Sequence, residues 1–222
     1  LALNRQEIID VVYKGMGKPG QCAVPEGSIY YNEKLAKAYI AYDPARANKL
    51  LDEVGVVRRQ SDGARLFWNG QPISIDLNVT DGRAPLEVVQ LTCNYWQALG
   101  LNVQMKLRQG MMTNRMIEMG TADIVASAEG GNTFGPLNAG YYAPTHPAEA
   151  PQWSAWAKYL SGAKIGAEEA PPWMVDINRT WEALLNAPND GAKMAAWREL
   201  TDRAAEDLAV IGVMTSPGRL VY

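Results

Sequence analysis

The hydrophobic pattern of residues 43–55 is that of a helix with one buried face. Its apolar residues recur at the i, i+3, i+4 and i+7 spacing of a helical stripe: Ala47, Leu50, Leu51 and Val54. Asp43 stands at the capping position, Pro44 at the first helical position and Gly55 just beyond the stripe. These signals agree, so the sequence predicts an amphipathic helix that begins at Pro44 and ends before Gly55.

Strict alternation, the pattern of a strand, covers residues 73–79 and predicts one packed face and one wetter face. The apolar members of the alternation are Ile73, Ile75, Leu77 and Val79. The polar members are Ser74, Asp76 and Asn78. The turn dipeptides Asp62-Gly63 and Asn69-Gly70 flank a second short strand at residues 65–68, so we expect the two strands to form a hairpin.

Helical and strand patterns alternate along the rest of the chain. A first helix is capped by Asn4, with Glu7 placed to complete a capping box. The further predicted elements are helix 85–99, strand 101–107, helix 111–119, strand 123–127, helices 151–160, 172–185 and 190–208, and strand 209–215. Strands that alternate with helices favour parallel pairing, so the predicted fold class is α/β.

The composition excludes several classes of function. Of the 222 residues, 47% are hydrophobic and 20% charged, which is typical of a folded globular chain. The net charge of -3 argues against nucleic-acid binding. One histidine and two distant cysteines, Cys22 and Cys93, cannot supply a multi-histidine or CxxC metal site, and their spacing leaves a disulfide open. No phosphate-loop motif points to a cofactor, and no apolar run approaches the ~18 residues of a membrane helix.

The segment after the 123–127 strand is the candidate ligand-binding site, because open α/β sheets hold ligands at the carboxyl ends of their strands. Its residues offer a carboxylate, two permissive glycines, an amide, a hydroxyl and an aromatic ring: Glu129, Gly130, Gly131, Asn132, Thr133 and Phe134. Tyr141 and Tyr142 are secondary candidates, because aromatic loop residues often cover ligands. The alternative is an ordinary glycine turn with both tyrosines packed inside the loop.

A second class of function rests on the single histidine. A hydrolase would use His146 or Glu129 as its base and would need another polar group within hydrogen-bond reach of it. His146 lies between Pro144 and Pro147 in a stiff loop, where a solvated histidine is the simpler interpretation.

Several stretches resemble signatures of the peptide/nickel family, family 5, of periplasmic solute-binding proteins, the receptors of ABC importers. Residues 1–9 are similar to that family's AL-x-x-AI-[DN]-R helix, and residues 42–55 to its YDP-x-x-A-x-x-LL-x-EAG segment. Trp181, Leu184 and Ala187 resemble its W-x-x-L-x-x-A helix. The resemblance spans nearly the whole chain, and the YDP segment is its most specific part.

The resemblance implies a lobe of the type II periplasmic binding protein fold, with a mixed sheet flanked by helices. Residues 1–222 would be the single C-terminal lobe of a two-lobed protein, without its first lobe and signal peptide. Such a receptor is not an enzyme and needs no cofactor. It captures a peptide-like, opine or sugar-like solute against the N-terminal lobe and delivers it to an ABC permease. Its location would be periplasmic or extracellular, with a lipoprotein anchor as one form of attachment.

One departure from the family pattern concerns the candidate loop. Asn132 stands where peptide-binding members carry an aspartate that pairs with the amino terminus of the peptide. A neutral amide cannot form that ion pair, and Glu129 is the nearby carboxylate that could replace it. A peptide-chaperone or signalling receptor of the same fold would show the same sequence features.

Overall fold

The computed structural model describes residues 1–59, 61–128 and 135–215, and the chain divides into two compact units. Unit 1 is drawn from Leu1–Gly17, Tyr39–Thr113 and Ala122–Glu129. Unit 2 is drawn from Lys18–Ala38, Asn114–Thr121 and Gly130–Tyr222. Each unit is therefore assembled from segments that are distant in sequence. That residues 1–222 form one lobe stays a prediction.

The described residues form eight α-helices and seven short strands. The helices are α1 (Arg5–Tyr13), α2 (Glu33–Ala36), α3 (Pro44–Glu53), α4 (Leu86–Ala98), α5 (Gly110–Glu118), α6 (Ser154–Leu160), α7 (Pro172–Leu185) and α8 (Asp190–Asp207). The strands are β1 (Lys18–Pro19), β2 (Val57–Arg58), β3 (Arg65–Leu66), β4 (Ile75–Thr80), β5 (Val103–Arg108), β6 (Ile124–Ala126) and β7 (Met214–Thr215). The predicted α/β class is confirmed.

A parallel three-stranded sheet, in the order β5-β4-β6, forms the centre of unit 1. Its register sets Ile75 beside Val103 and Leu77 beside Ile124. Helix α4 packs on one face, where the buried cluster consists of Leu77, Val79, Val89, Cys93 and Val103. The predicted alternation of strands and helices thus yields parallel strands, because each crossover helix returns the chain to the same end of the sheet.

The hairpin of unit 1 pairs different strands from those predicted. β2 runs antiparallel to β3 across the Asp62-Gly63 turn, with Val57 beside Leu66. The expected partner of residues 65–68 lies instead in the parallel sheet as β4, and an isolated bridge from Leu66 to Pro72 joins the two segments. The prediction was wrong because β4 is the central strand, so both of its edges already pair with β5 and β6.

Arg65 of β3 is a buried side chain that makes hydrogen bonds to several elements of this region. Its Nε donates to the Leu99 carbonyl at 2.8 Å, and its Nη2 donates to Asn48 Oδ1 at 2.8 Å. Its Nη1 donates to the Asp52 carboxylate at 2.6 Å and also to the Val56 carbonyl. One guanidinium therefore joins α3, the hairpin and the end of α4.

The start of α3 agrees with the prediction, but the burial of its apolar stripe does not. Asp43 Oδ1 accepts the Arg46 N–H at 2.9 Å, as a capping residue should. Within the stripe Ala47 is buried, whereas Leu50 is 40% and Val54 67% exposed. The helix start was predicted correctly because a cap involves only neighbouring residues. The burial of the stripe was not, because it depends on which distant segments pack over the helix.

Unit 2 is built from helices around one tryptophan. Trp197 of α8 is fully buried, and its indole N–H donates to the Tyr30 carbonyl at 2.8 Å. Helix α7 has the predicted bounds and buries Met174, Ile177 and Leu184. The final strand is shorter than predicted, because the Gly212 N–H donates to Gln21 Oε1 and the ladder with β1 begins at Met214.

Candidate ligand-binding site

The carboxyl ends of the three parallel strands meet at one edge of unit 1. β4 ends at Thr80 and β5 at Arg108, which are partners in the register, and β6 ends at Ala126. Just beyond β6, the Ala128 N–H donates to the Arg83 carbonyl at 2.6 Å. This bond ties the exit of β6 to the turn after β4. Ala128, which directly precedes the predicted binding loop in the sequence, therefore lies at the edge at which open α/β sheets hold ligands.

Most of the predicted site residues lie outside the described part of the chain: Glu129, Gly130, Gly131, Asn132, Thr133 and Phe134. Their role in ligand binding stays a prediction. The first described residue after them is Gly135, which lies against the Trp197 indole in unit 2. A side chain at position 135 would collide with that ring, so packing requires glycine there.

The two secondary candidates, Tyr141 and Tyr142, belong to unit 2. The Tyr142 hydroxyl donates to the Cys22 carbonyl at 3.2 Å, and its ring meets Trp197 edge to face with centroids 5.3 Å apart. Burial raises the pKa of the Tyr142 phenol well above its ordinary value. Tyr141 is half-buried, and both tyrosines line a pocket with Arg203. Tyr142 thus has a packing role, and contact of either tyrosine with a ligand stays a prediction.

A network of polar side chains crosses the sheet face opposite α4. Arg108 Nε donates to Asn78 Oδ1 at 3.0 Å, and its Nη2 donates to Asp76 Oδ2 at 3.4 Å. Lys106 Nζ lies 3.9 Å from the Asp76 carboxylate and donates to Gln104 Oε1 at 2.8 Å. Alternation placed Asp76 and Asn78 on a wetter face, and Asp76 is partly exposed. Asn78 is fully buried, and the bond from its Nδ2 to the Ile124 carbonyl at 3.1 Å offsets the cost of burying the amide.

Arg108 is the member of this network that sequence reasoning missed. It lies one residue beyond the strand predicted at 101–107, so the alternation did not include it. The parallel register places it beside Thr80 at the carboxyl edge of the sheet. Alternation within one strand does not fix the register against its neighbour, so the sequence carried no signal that placed Arg108 beside Asn78 and Thr80.

The residues named for hydrolytic chemistry are not brought together in the described ranges. His146 Nδ1 accepts the Ala148 N–H at 3.2 Å, which is a bond within a local turn. Glu129, the other candidate base, lies outside those ranges. No hydrogen bond to a nucleophilic side chain is present on the His146 ring among the residues that the structure describes.

The described residues include one buried thiol, but no cluster of metal ligands and no membrane-spanning helix. Cys93 is a buried thiol that carries no disulfide bond, and burial raises its pKa. Within residues 1–59, 61–128 and 135–215, no three His, Cys, Asp or Glu side chains group to hold a metal ion. None of the helices in these ranges combines the length and apolarity needed to span a bilayer.

Comparison with known proteins gives one family match and several relatives. The model for bacterial extracellular solute-binding proteins, family 5 Middle, matches residues 1–151. Di/tripeptide-binding protein 1 of Pseudomonas aeruginosa is 30% identical over 104 residues, which are 47% of this chain and 18% of that protein. The chain therefore matches less than a fifth of the length of this curated relative.

Solved structures share the fold over nearly the whole chain. The oligopeptide-binding protein OppA has a TM-score of 0.82 at 24% identity, covering 95% of this chain and 35% of that one. MelB from Agrobacterium fabrum C58, in complex with stachyose, has a TM-score of 0.77 at 18% identity, covering 97% of this chain and 32% of that one. At these identities the likeness shows the fold, which is that of type II periplasmic binding proteins.

Proposed function

The chain belongs to the bacterial extracellular solute-binding proteins of family 5, and we propose that it is part of the receptor of an ABC importer. In this proposal residues 1–222 are the C-terminal lobe, and a small solute is captured between this lobe and an N-terminal one. The receptor then delivers the solute to a permease in the membrane. Its location is the periplasm or the cell exterior, where a lipid anchor would retain it.

The observation that carries the proposal is that the family match includes the sheet edge. The match over residues 1–151 contains β4, β5 and β6 together with the loop that leaves β6. Open α/β sheets bind ligands at that edge irrespective of the chemistry involved. A family of solute-binding proteins favours binding without reaction there, and it lends no support to a hydrolase based on His146 or Glu129.

In this proposal each lobe supplies part of the contacts to the solute. The loop at residues 129–134 would offer backbone N–H groups, one carboxylate and one aromatic ring to the solute. Contacts from one side leave most of a small ligand in water, so they yield little affinity by themselves. Closure of a second lobe would exclude that water and add the remaining contacts. We therefore expect the 222-residue chain alone to bind solute weakly.

The class of solute is proposed from the charge of the loop. Asn132 has no charge with which to form an ion pair with a ligand ammonium group, whereas the Glu129 carboxylate has, so Glu129 would hold the amino group of a peptide-like solute. The name of the di/tripeptide-binding relative supports a short peptide. The stachyose complex of MelB makes an oligosaccharide the competing class, which Asn132 and Phe134 would suit.

Thermal unfolding of the two-lobed receptor tests this proposal. A dipeptide or tripeptide should raise its Tm, since a ligand that binds only the native state stabilises it by ~2.7 kcal/mol at a concentration of 100 Kd. Glu129→Ala should abolish the shift. Glu168→Ala removes an exposed carboxylate of unit 2 and should leave the shift unchanged.

Two other outcomes contradict parts of the proposal. If stachyose raises the Tm and peptides do not, the solute is a sugar and Glu129 has no amine to bind. If no solute raises the Tm and the receptor instead cleaves a peptide or ester, the protein is a hydrolase and the transport proposal fails.

A further inference from the structure

The polar face of the parallel sheet contains an arginine that is held more firmly than its position requires. Arg108 is the last residue of β5, at the carboxyl edge of the sheet. Its Nε donates to Asn78 Oδ1 at 3.0 Å, across the boundary between β5 and β4. A surface arginine at a strand end is normally mobile, because its side chain loses about 2 kcal/mol of rotamer entropy when it is fixed.

The orientation of the Asn78 side-chain amide is fixed by its own hydrogen bonds. Its Nδ2 donates to the Asp76 carbonyl at 3.1 Å and to the Ile124 carbonyl at 3.1 Å, which uses both of its N–H groups. Both partners are acceptors, so the oxygen of the amide must point away from them and toward Arg108. Because Asn78 is fully buried, water cannot compete for this arrangement.

The guanidinium retains donors that the protein does not use. Arginine has five N–H groups, and in the described ranges Arg108 gives one to Asn78 and one, at 3.4 Å, to Asp76. Its Nη1 has no protein partner in those ranges. The side chain keeps 25% of its surface exposed, so a solute can approach it.

The charges around Arg108 leave it incompletely neutralised. Asp76 is the carboxylate between two cations, with Arg108 at 3.4 Å and Lys106 at 3.9 Å, and neither distance is that of a tight ion pair. Asp123 lies at the opposite, amino end of β6, where its Oδ2 accepts the Asp76 N–H at 2.9 Å. Within this network two cations therefore share one carboxylate.

We infer that Arg108 binds a carboxylate group of the solute and that Asn78 is the positioning residue that fixes its guanidinium. A carboxylate is planar and accepts two parallel N–H bonds from an arginine fork, which matches the unused donors of Arg108. The inference rests on the proposed function, in that it takes the ligand to be a solute of the receptor. It adds to that function a preference for solutes with a carboxylate over neutral ones.

The test uses the 222-residue chain with acetate as the probe and acetamide as its neutral isostere, at constant ionic strength. The Nε–H signal of Arg108 in an NMR spectrum, assigned by its loss in Arg108→Lys, is the readout. Acetate should shift this signal with a Kd on the order of 1–10 mM, as a single exposed charge-assisted pair allows. Acetamide should leave the signal in place.

Variants distinguish the contribution of the planar guanidinium donors from that of the positive charge. Arg108→Lys keeps the charge but loses the planar donors, so acetate affinity, followed on the acetate resonance, should fall about tenfold. Arg46→Lys makes the same change at an exposed arginine of α3 and should have no effect. Asn78→Leu should weaken acetate binding severalfold while Arg108 remains. If Asn78→Leu does not fold, the comparison of the two arginine variants decides.

Two results would overturn the inference: an equal response to acetate and acetamide, or an Arg108→Lys variant that binds acetate like the parent chain. Arg108 would then be a contact between strands and nothing more. Failure of the proposed function looks different, because acetate would still bind at Arg108 while the two-lobed receptor binds no solute. A receptor that binds dipeptides equally well with Arg108→Lys refutes the role of Arg108 and leaves the proposed function intact.

Discussion

Units 1 and 2 satisfy their buried polar groups in contrasting ways. In unit 1 the buried side chains of Arg65 and Asn78 each make several hydrogen bonds to different elements. In unit 2 the large buried rings of Trp197 and Tyr142 each reach one backbone carbonyl, and the buried Gln21 amide adds bonds to Ala38 and Gly212. An aromatic ring contributes apolar area with one hydrogen bond, whereas a guanidinium contributes many hydrogen bonds with little apolar area. Unit 2 should therefore be sensitive to lost volume and unit 1 to lost hydrogen bonds.

The largest expected effect comes from Trp197→Ala in unit 2. The substitution removes a fully buried indole and leaves the Tyr30 carbonyl without its donor, so it should lower the free energy of unfolding by about 3–5 kcal/mol. Urea denaturation followed by circular dichroism measures this loss. Trp68→Ala is the matched control, because Trp68 is 78% exposed and should change stability by less than about 0.5 kcal/mol. Equal losses in the two variants would contradict the assignment of Trp197 to the core.

Arg65→Met tests whether unit 1 is sensitive to the loss of buried hydrogen bonds. Methionine fills similar space, but it leaves the carbonyls of Leu99 and Val56 without a donor, so we expect a loss of about 2–3 kcal/mol in unit 1. Denaturation of the variant gives the value, with Arg46→Met at an exposed position as the control. If Arg65→Met is as stable as the parent, packing and not hydrogen bonding stabilises unit 1, and the contrast with unit 2 disappears.

The parts of the fold that sequence reasoning predicted correctly are those fixed by neighbouring residues. The caps at Asn4 and Asp43 and the bounds of α7 depend on side chains and backbone groups within one turn. The hairpin partner of β3 and the exposure of Val54 were predicted wrongly, because both depend on segments far along the chain. Pairing of β4 with two parallel strands competes with the hairpin and prevails, and no local pattern shows that competition.

The candidate site shows the same limit. The loop after β6 could be proposed because strand ends follow from the order of elements. Arg108 could not be proposed, because the strand register brings it to Asn78 and Asp76, and the sequence does not show that register. The sequence did not assign Tyr142 to the core either, because its aromatic partner, Trp197, lies 55 positions further along the chain.

A smaller and pH-dependent effect is expected for Tyr142→Phe. At neutral pH the variant loses the bond to the Cys22 carbonyl, at a cost of about 1–2 kcal/mol. Burial raises the pKa of Tyr142 in the folded state, so the stability linked to its proton is complete below the ordinary value of about 10 and is lost as the pH rises above it. Urea midpoints of parent and variant should therefore converge in strongly alkaline solution. A gap between the two midpoints that stays constant as the pH rises would contradict the burial of the phenol.

The smallest effects, at the helix caps, should be the same in both units. Asn4 Oδ1 accepts the Glu7 N–H at 3.2 Å in unit 1, and Asn189 Oδ1 accepts the Ala192 N–H at 2.9 Å in unit 2. Each Asn→Ala substitution removes one cap bond to a backbone N–H, so each should cost about 1 kcal/mol by urea denaturation, whichever unit contains it. Asn4→Ala also removes the bond from Asn4 Nδ2 to Glu7 Oε2 at 3.0 Å, which is exposed and which water replaces. Asn94→Ala on the exposed face of α4 removes no cap and should change stability by a few tenths of a kcal/mol. If one cap costs several times more than the other, the units differ in local as well as in tertiary interactions, and the comparison drawn from their cores is incomplete.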